Sequence, residues 1–175
     1  TTSAMSSQRS KVISMVRVLD DIDDGTPTSS SDNMTKTIDG TVVTFTSTTV
    51  TGSDVVTVDF NAQGWENAAT PTTVTLANGT TIEFAGGENT SNAPKFYTAT
   101  KGVRMYANNV LTISGPKAIA KVVITCDHTN SVNYVGNEKL YGTLDGTALK
   151  IVNYHTETSG GVQFRPQIIE ITYAK

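Results

Sequence analysis

From residue 41 onward, apolar side chains alternate with polar ones, and this alternation constrains the fold more than any other feature of the sequence. In residues 43–45 and 56–60 the apolar positions are separated by Thr44, Thr57 and Asp59. A period of two puts successive side chains on opposite faces of a β-strand. Threonine, which favours strands, occurs 30 times in the 175 residues. The sequence therefore predicts half-buried strands rather than helices.

Residues 73–85 form the clearest hairpin in the sequence. The apolar residues Val74, Leu76, Ile82 and Phe84 share a face only if the connecting loop has an odd number of residues. A two-residue turn fails that test, whereas a loop of residues 77–79 passes it, with Gly79 in the left-handed position of a bulged turn. We expect Leu76 to close against Thr80.

Further strands alternate or form apolar runs between turn residues, and they are predicted at Val103–Ala107, Val110–Ser114, Ala118–Cys126, Leu140–Leu144, Ala148–Tyr154 and Gln167–Tyr173. About ten short strands at this spacing are typical of a sandwich. We predict an all-β fold, an antiparallel β-sandwich that is jelly-roll-like. Residues 33–175 form its single domain, and residues 1–32 form an N-terminal extension.

The N-terminal extension contains an apolar segment, residues 11–19, followed by a polar acidic linker. Its apolar side chains lie on almost every side, so a short helix and a strand buried on both faces both fit: Val12, Ile13, Met15, Val16, Val18 and Leu19. The β-branched residues and the short length favour the strand. We predict that this segment contacts another subunit.

The linker carries one dense acidic cluster, made of Asp20, Asp21, Asp23 and Asp24. Oxygen-rich loops of this kind hold Ca²⁺, but the spacing does not match an EF-hand, and a solvated acidic linker fits the same residues. Calcium is thus the one cofactor that the sequence suggests.

Charge and hydropathy exclude two classes of partner. The formal net charge is −3, so no basic field is available for a phosphate backbone, and we expect no nucleic acid. No apolar stretch reaches the roughly 18 residues needed to cross a bilayer, so we expect no transmembrane segment. The chain begins at Thr1 without an initiator methionine, which is typical of a mature protein after signal removal.

The residues that an enzyme needs are sparse. The only histidines, His128 and His155, have no second ligand at metal-binding spacing, and Cys126 lies in an apolar run. The strand carboxylates Asp59 and Glu83 occupy the polar parity of their strands, as Glu170 does, which favours solvated faces over a catalytic pair. We expect no catalytic activity.

Four stretches of residues 54–175 carry a resemblance to a known module: Asn92 to Tyr97, Val103 to Tyr106, Asn109 to Ile113 and Ile169 to Tyr173. In these pieces and their order, the chain resembles a β-sandwich module that recurs in secreted proteins and surface lipoproteins of Bacteroidota. Members of that family mostly have no assigned activity. The resemblance implies a secreted or cell-surface location and transfers no catalytic residue.

Two functions from different classes remain open. The first is a subunit of an extracellular fibre or surface assembly, in which residues 11–19 add a strand to a neighbouring copy or to another surface protein. The second is a carbohydrate-binding module. Aromatic rings and polar groups near strand ends and loops form its predicted glycan site: Trp65, Tyr97, Arg104, Tyr106, Asn108 and Asn109. The same aromatic residues also fit a packing role at the ends of the core.

Overall fold

The structure is a computed structural model that describes residue 27 and residues 29–156 and 164–175. Within these residues there are fourteen strands: β1 (Met34–Asp39), β2 (Val42–Ser47), β3 (Gly52–Asp59), β4 (Thr73–Thr75), β5 (Thr81–Ala85), β6 (Lys95–Tyr97), β7 (Gly102–Arg104), β8 (Val110–Ser114), β9 (Ile119–Cys126), β10 (His128–Thr129), β11 (Val132–Asn133), β12 (Leu140–Asp145), β13 (Ala148–Asn153) and β14 (Pro166–Ala174). Two short 3-10 helices, η1 (Phe60–Gln63) and η2 (Gly136–Glu138), complete the elements.

Ten of these strands form two five-stranded antiparallel sheets. The first sheet has the order β1-β2-β9-β14-β3, and the second has the order β12-β13-β8-β5-β4. The chain passes from one sheet to the other after β3, β8, β9 and β13, so strands far apart in sequence become neighbours. The prediction of an all-β antiparallel sandwich is confirmed.

The core lies between the two sheets, where the apolar members of each alternating pattern meet. Phe45 and Ile124 from the first sheet and Ile82, Leu111 and Leu149 from the second are almost fully buried. The polar members of the same strands point outward. Asp59, Glu83 and Glu170 are exposed on these outer faces, as their strand parity predicts.

The β4–β5 hairpin has the predicted three-residue loop. Thr75 pairs with Thr81, and the Leu76 N–H donates to the Thr80 carbonyl at 2.8 Å. Gly79 closes the loop with a φ of 91°, a left-handed conformation that glycine adopts without a steric penalty. The length of this loop and the left-handed position of Gly79 are therefore both as predicted.

Strand β7 ends earlier than predicted. The Met105 N–H donates to the Phe164 carbonyl, and the Tyr106 N–H donates to Asn109 Oδ1 at 2.8 Å, so neither residue continues the β6–β7 ladder. Strands β1 and β6 and the β10–β11 pair were not predicted. In β1 the alternation is hidden because Lys36 occupies an inward position between Met34 and Ile38.

The predicted subunit-contact strand, residues 11–19, and the acidic cluster of residues 20–24 lie outside the described residues. Both stay predictions.

Candidate functional site

The two sides of the sandwich differ in how their edge strands end, and this difference defines the candidate site. On one side, β1 and β12 are the edge strands, and they lie against each other. On the other side, β3 ends the first sheet and β4 ends the second. An unpaired edge presents a row of backbone N–H and C=O groups to any segment that can form a strand.

Side chains and backbone from the residues before β1 close the edge of β12. The Ser31 N–H donates to the Gly142 carbonyl at 2.9 Å, and the Leu144 N–H donates back to Ser31 Oγ at 3.1 Å. The Asn33 amide nitrogen donates to the Leu144 carbonyl at 3.0 Å. These bonds satisfy the same backbone groups that an added strand would use.

Lys36 closes the remaining end of this side. It lies opposite Phe45 in the β1–β2 register, so its side chain points between the sheets. Its Nζ donates to the Leu140 carbonyl at 2.8 Å and to the Glu138 carbonyl at 3.1 Å. Burial lowers the pKa of Lys36 to about 8, and the Glu138 carboxylate opposes this shift. An inward-pointing lysine on an edge strand is a known barrier to strand addition.

The edge formed by β3 is open. Residues 53–58 make their backbone hydrogen bonds to β14, and within the described residues no other segment makes a backbone hydrogen bond to them. The Asp54 carboxylate accepts a hydrogen bond from Lys117 Nζ at 3.0 Å. Val55 points to the outer face and is 57% exposed, more than any other large hydrophobic residue described. Val56 lies opposite Ile171 and points inward, yet it is only half-buried. β3 therefore offers an edge of eight residues that is unpaired within the described residues and that carries three valines beside two acidic side chains.

The structure brings three of the predicted glycan-site residues together at one end of the sandwich. The β6–β7 ribbon places the Arg104 guanidinium 4.0 Å from the ring centroid of Tyr97, a cation–π contact. Burial, and then the neighbouring Tyr97 side chain, raises the pKa of Tyr106. Within the described residues, Arg104 Nε is buried and has no hydrogen-bond partner.

Trp65 lies in an aromatic cluster against the core. Its ring is 5.5 Å from Phe96 and 6.2 Å from Phe84 in edge-on contacts, and it stacks on Phe60 at 6.0 Å. These three neighbours are buried. The Trp65 ring therefore packs against the core.

The two asparagines serve the loop before β8. Asn109 is fully buried, and its amide nitrogen donates to the Gly86 and Asn92 carbonyls at 3.0 and 2.9 Å. Asn108 has a φ of 62°, and its N–H donates to the Asn153 carbonyl. Their bonds hold the loop that carries Tyr106.

A second arginine–tyrosine contact lies beside this cluster, and sequence reasoning did not find it. The Arg165 guanidinium is 3.6 Å from the Tyr134 ring centroid, and its Nη1 is 3.2 Å from Asp127 Oδ2. Both members of this ion pair are buried. Arg165 follows the undescribed residues 157–163 and is separated from Asp127 by 38 positions, so no local pattern pairs them.

Within the part of the chain that the structure describes, no group of three or more His, Cys, Asp or Glu side chains is arranged to hold a metal ion. No described helix is long and apolar enough to cross a membrane. Comparison of the chain with protein-family models, with curated proteins and with solved structures found no match.

Proposed function

We propose that this chain is a non-catalytic structural or adhesive subunit of an extracellular surface assembly, in which residues 11–19 add a strand to a neighbouring molecule. The observation that supports this proposal is that the edge strands are closed by hydrogen bonds on one side of the sandwich and, among the described residues, not on the other. One side is closed by hydrogen bonds from Ser31, Asn33 and Lys36, whereas on the other side no described segment pairs with the outer edge of β3, and Val55 is exposed.

The donor segment has the composition that strand addition requires. Apolar side chains occupy both parities of residues 11–19. One set would enter the space between the sheets at an open edge, and the other would lie on the outer face. Main-chain hydrogen bonds would supply much of the affinity. The proposed secreted or cell-surface location rests on the resemblance of residues 54–175 to a surface module.

Deletion of residues 1–19 tests this function. The intact chain is expected to form filaments or oligomers, visible by electron microscopy and by light scattering after size exclusion. The deletion is expected to be monomeric with unchanged circular dichroism. A chain that lacks only residues 1–9 keeps the donor segment and is the matched control, so it should still assemble. Filaments from the chain without residues 1–19 would refute the proposal.

A second candidate function, carbohydrate binding, is favoured by the grouping of Tyr97, Arg104 and Tyr106. Tyrosine rings stack on the apolar faces of sugars, and a guanidinium carries several N–H donors for sugar hydroxyls. In this case the surface assembly would also capture glycans.

Arg104→Ala and Tyr106→Ala test the second function on a glycan array. Each is expected to lower binding at least tenfold, because each removes a group that would contact the sugar. Tyr141→Ala, on the outer face of the second sheet, is the control and should bind as the wild type does. Equal binding by all three variants, or no binding by the wild type, excludes this site.

A further inference from the structure

We infer that β3 is the acceptor edge for residues 11–19 of a second copy of this chain, so that copies join head to tail in an open chain. This inference rests on the proposed function and names the partner surface within it. Its support comes from comparing the four edge strands of the two sheets.

Three of the four edges are poor acceptors. The β12 edge already receives hydrogen bonds from Ser31 and Asn33. The β1 edge carries Lys36 between the sheets, where an added strand would have to place its own inward side chains. The β4 edge spans only three residues, too few for a ladder with the nine-residue donor segment.

β3 matches the donor in length and in chemistry. It is eight residues long, and the donor segment, residues 11–19, has nearly the same length. Val55 is exposed on the outer face and Val56 is half-buried on the inner face, so both faces of an added apolar strand would find an apolar neighbour. Aromatic or β-branched pairs across neighbouring strands stabilise a sheet.

The positions of donor and acceptor set the symmetry of the assembly. Ser30 forms a bridge with Gly142 of β12, so residue 30, which residues 11–19 precede in the chain, lies on the closed side of the sandwich. β3 is separated from β1 by three strands, a distance of roughly 19 Å at the usual spacing between strands. Donor and acceptor are therefore different surfaces, and such contacts produce open filaments unless a rotation closes them into a ring.

A matched pair of substitutions tests which edge is used. Val56 on β3 and Ile38 on β1 are both half-buried, inward-facing β-branched residues packed against the core, at opposite edges of the same sheet. Val56→Lys copies onto β3 the device that Lys36 provides on β1, and it is expected to abolish assembly. Ile38→Lys should leave assembly intact. Thermal unfolding of both variants shows whether each remains folded.

Mixing two assembly-defective chains is the sharper measurement. A chain without residues 1–19 keeps an open β3 but has no donor, whereas full-length Val56→Lys keeps its donor but has a blocked edge. Each alone should be monomeric, and an equimolar mixture should give 1:1 dimers and nothing larger. A mixture that stays monomeric, or a Val56→Lys chain that still polymerises, overturns the assignment of β3.

Cross-linking keeps the inference testable without altering the core. Val55 on β3 and Thr37 on β1 are both exposed on the outer face of the first sheet. Two variants are prepared, Val55→Cys and Thr37→Cys. Each variant is mixed with a Ser14→Cys chain, and a short bis-maleimide cross-linker is added to each mixture. Cys126 is buried and does not compete. Covalent dimers are expected with Val55→Cys and not with Thr37→Cys.

The outcomes separate the two proposals. A wild-type chain that is monomeric under all conditions refutes the proposed function itself. A wild type that assembles, but whose cross-links form at Thr37→Cys instead of Val55→Cys, retains the proposed function and refutes β3 as the acceptor.

Discussion

At the scale of single residues, burial decides which polar groups depend on a partner. The Tyr173 hydroxyl on β14 is hydrogen-bonded to the Thr80 hydroxyl just before β5, and both residues are buried. Burial raises the pKa of Tyr173, and the bond to Thr80 partly offsets the rise. This bond joins the two sheets through the core.

Tyr173→Phe is expected to lower the free energy of unfolding by about 1–2 kcal/mol, because it leaves the Thr80 hydroxyl buried without its partner. Urea denaturation measures the loss. The double variant Tyr173→Phe with Thr80→Val removes both polar groups, so it should be at least as stable as the single variant. A further loss in the double variant would contradict this account.

Burial also lowers the reactivity of the Cys126 thiol. Its pKa is raised by burial, and the nearby Asp127 carboxylate raises it further. The thiolate is the reactive form of cysteine. We therefore expect no reaction of the native protein with a thiol reagent within hours. In about 6–8 M urea the one thiol of the unfolded chain should be accessible and react at once. Rapid labelling of the native chain would show that β9 opens.

At the scale of elements, a single glycine lets β12 pack against the first sheet. A Cβ added to Gly142 would lie 2.6 Å from a ring atom of Phe45. Phe45 is almost fully buried, so its ring has little room to move. The absence of a side chain at residue 142 thus sets the distance between the sheets on the closed side.

Gly142→Ala is expected to destabilise the protein by about 1–3 kcal/mol through overpacking. Thr143→Ala, at the next and exposed position of the same strand, is the control and should change stability by less than about 0.5 kcal/mol. The midpoints of urea unfolding give both values. Equal midpoints would mean that the Phe45 ring can yield.

Lys36 makes the contact between β1 and β12 sensitive to pH. Its pKa in the folded state is about 8, below the usual value of 10.5. Between these two values the unfolded chain binds more protons than the folded one, so stability rises with pH. The charged lysine therefore disfavours folding most below pH 8, and this penalty is relieved as the pH increases.

Relative to Lys36→Met, the wild type should gain stability as the pH rises from 8 to 10.5, the interval between the two pKa values. Urea midpoints of both proteins at several pH values test this. The difference cancels the titration of other groups, including the tyrosines. A difference that is flat across the interval would show that Lys36 keeps an ordinary pKa.

At the scale of the whole molecule, one core runs through the sandwich, and the single tryptophan reports on one end of it. Trp65 contacts Phe60, Phe84 and Phe96, which belong to or adjoin three different elements of the fold. A sandwich with one continuous core should unfold cooperatively.

The tryptophan fluorescence and the far-ultraviolet circular dichroism are therefore expected to follow one coincident urea transition. Fluorescence reports on the aromatic cluster, and circular dichroism reports on all the strands. A fluorescence change at lower urea would indicate that the end carrying β6 and β7 unfolds separately.

The sequence by itself determined the strands whose alternation is unbroken and the faces they bury. It also determined the β4–β5 loop, because side-chain parity in a hairpin depends only on local spacing. Strand β1 was not predicted, because Lys36 interrupts its apolar face.

Only the tertiary structure decided which edges are open, because strand order comes from pairings between distant segments, such as β14 between β9 and β3. For the same reason it alone placed Trp65 against the core and paired Arg165 with Asp127. The alternation that reveals a strand is local, whereas the site on β3 exists because no other segment among the described residues pairs with its outer edge.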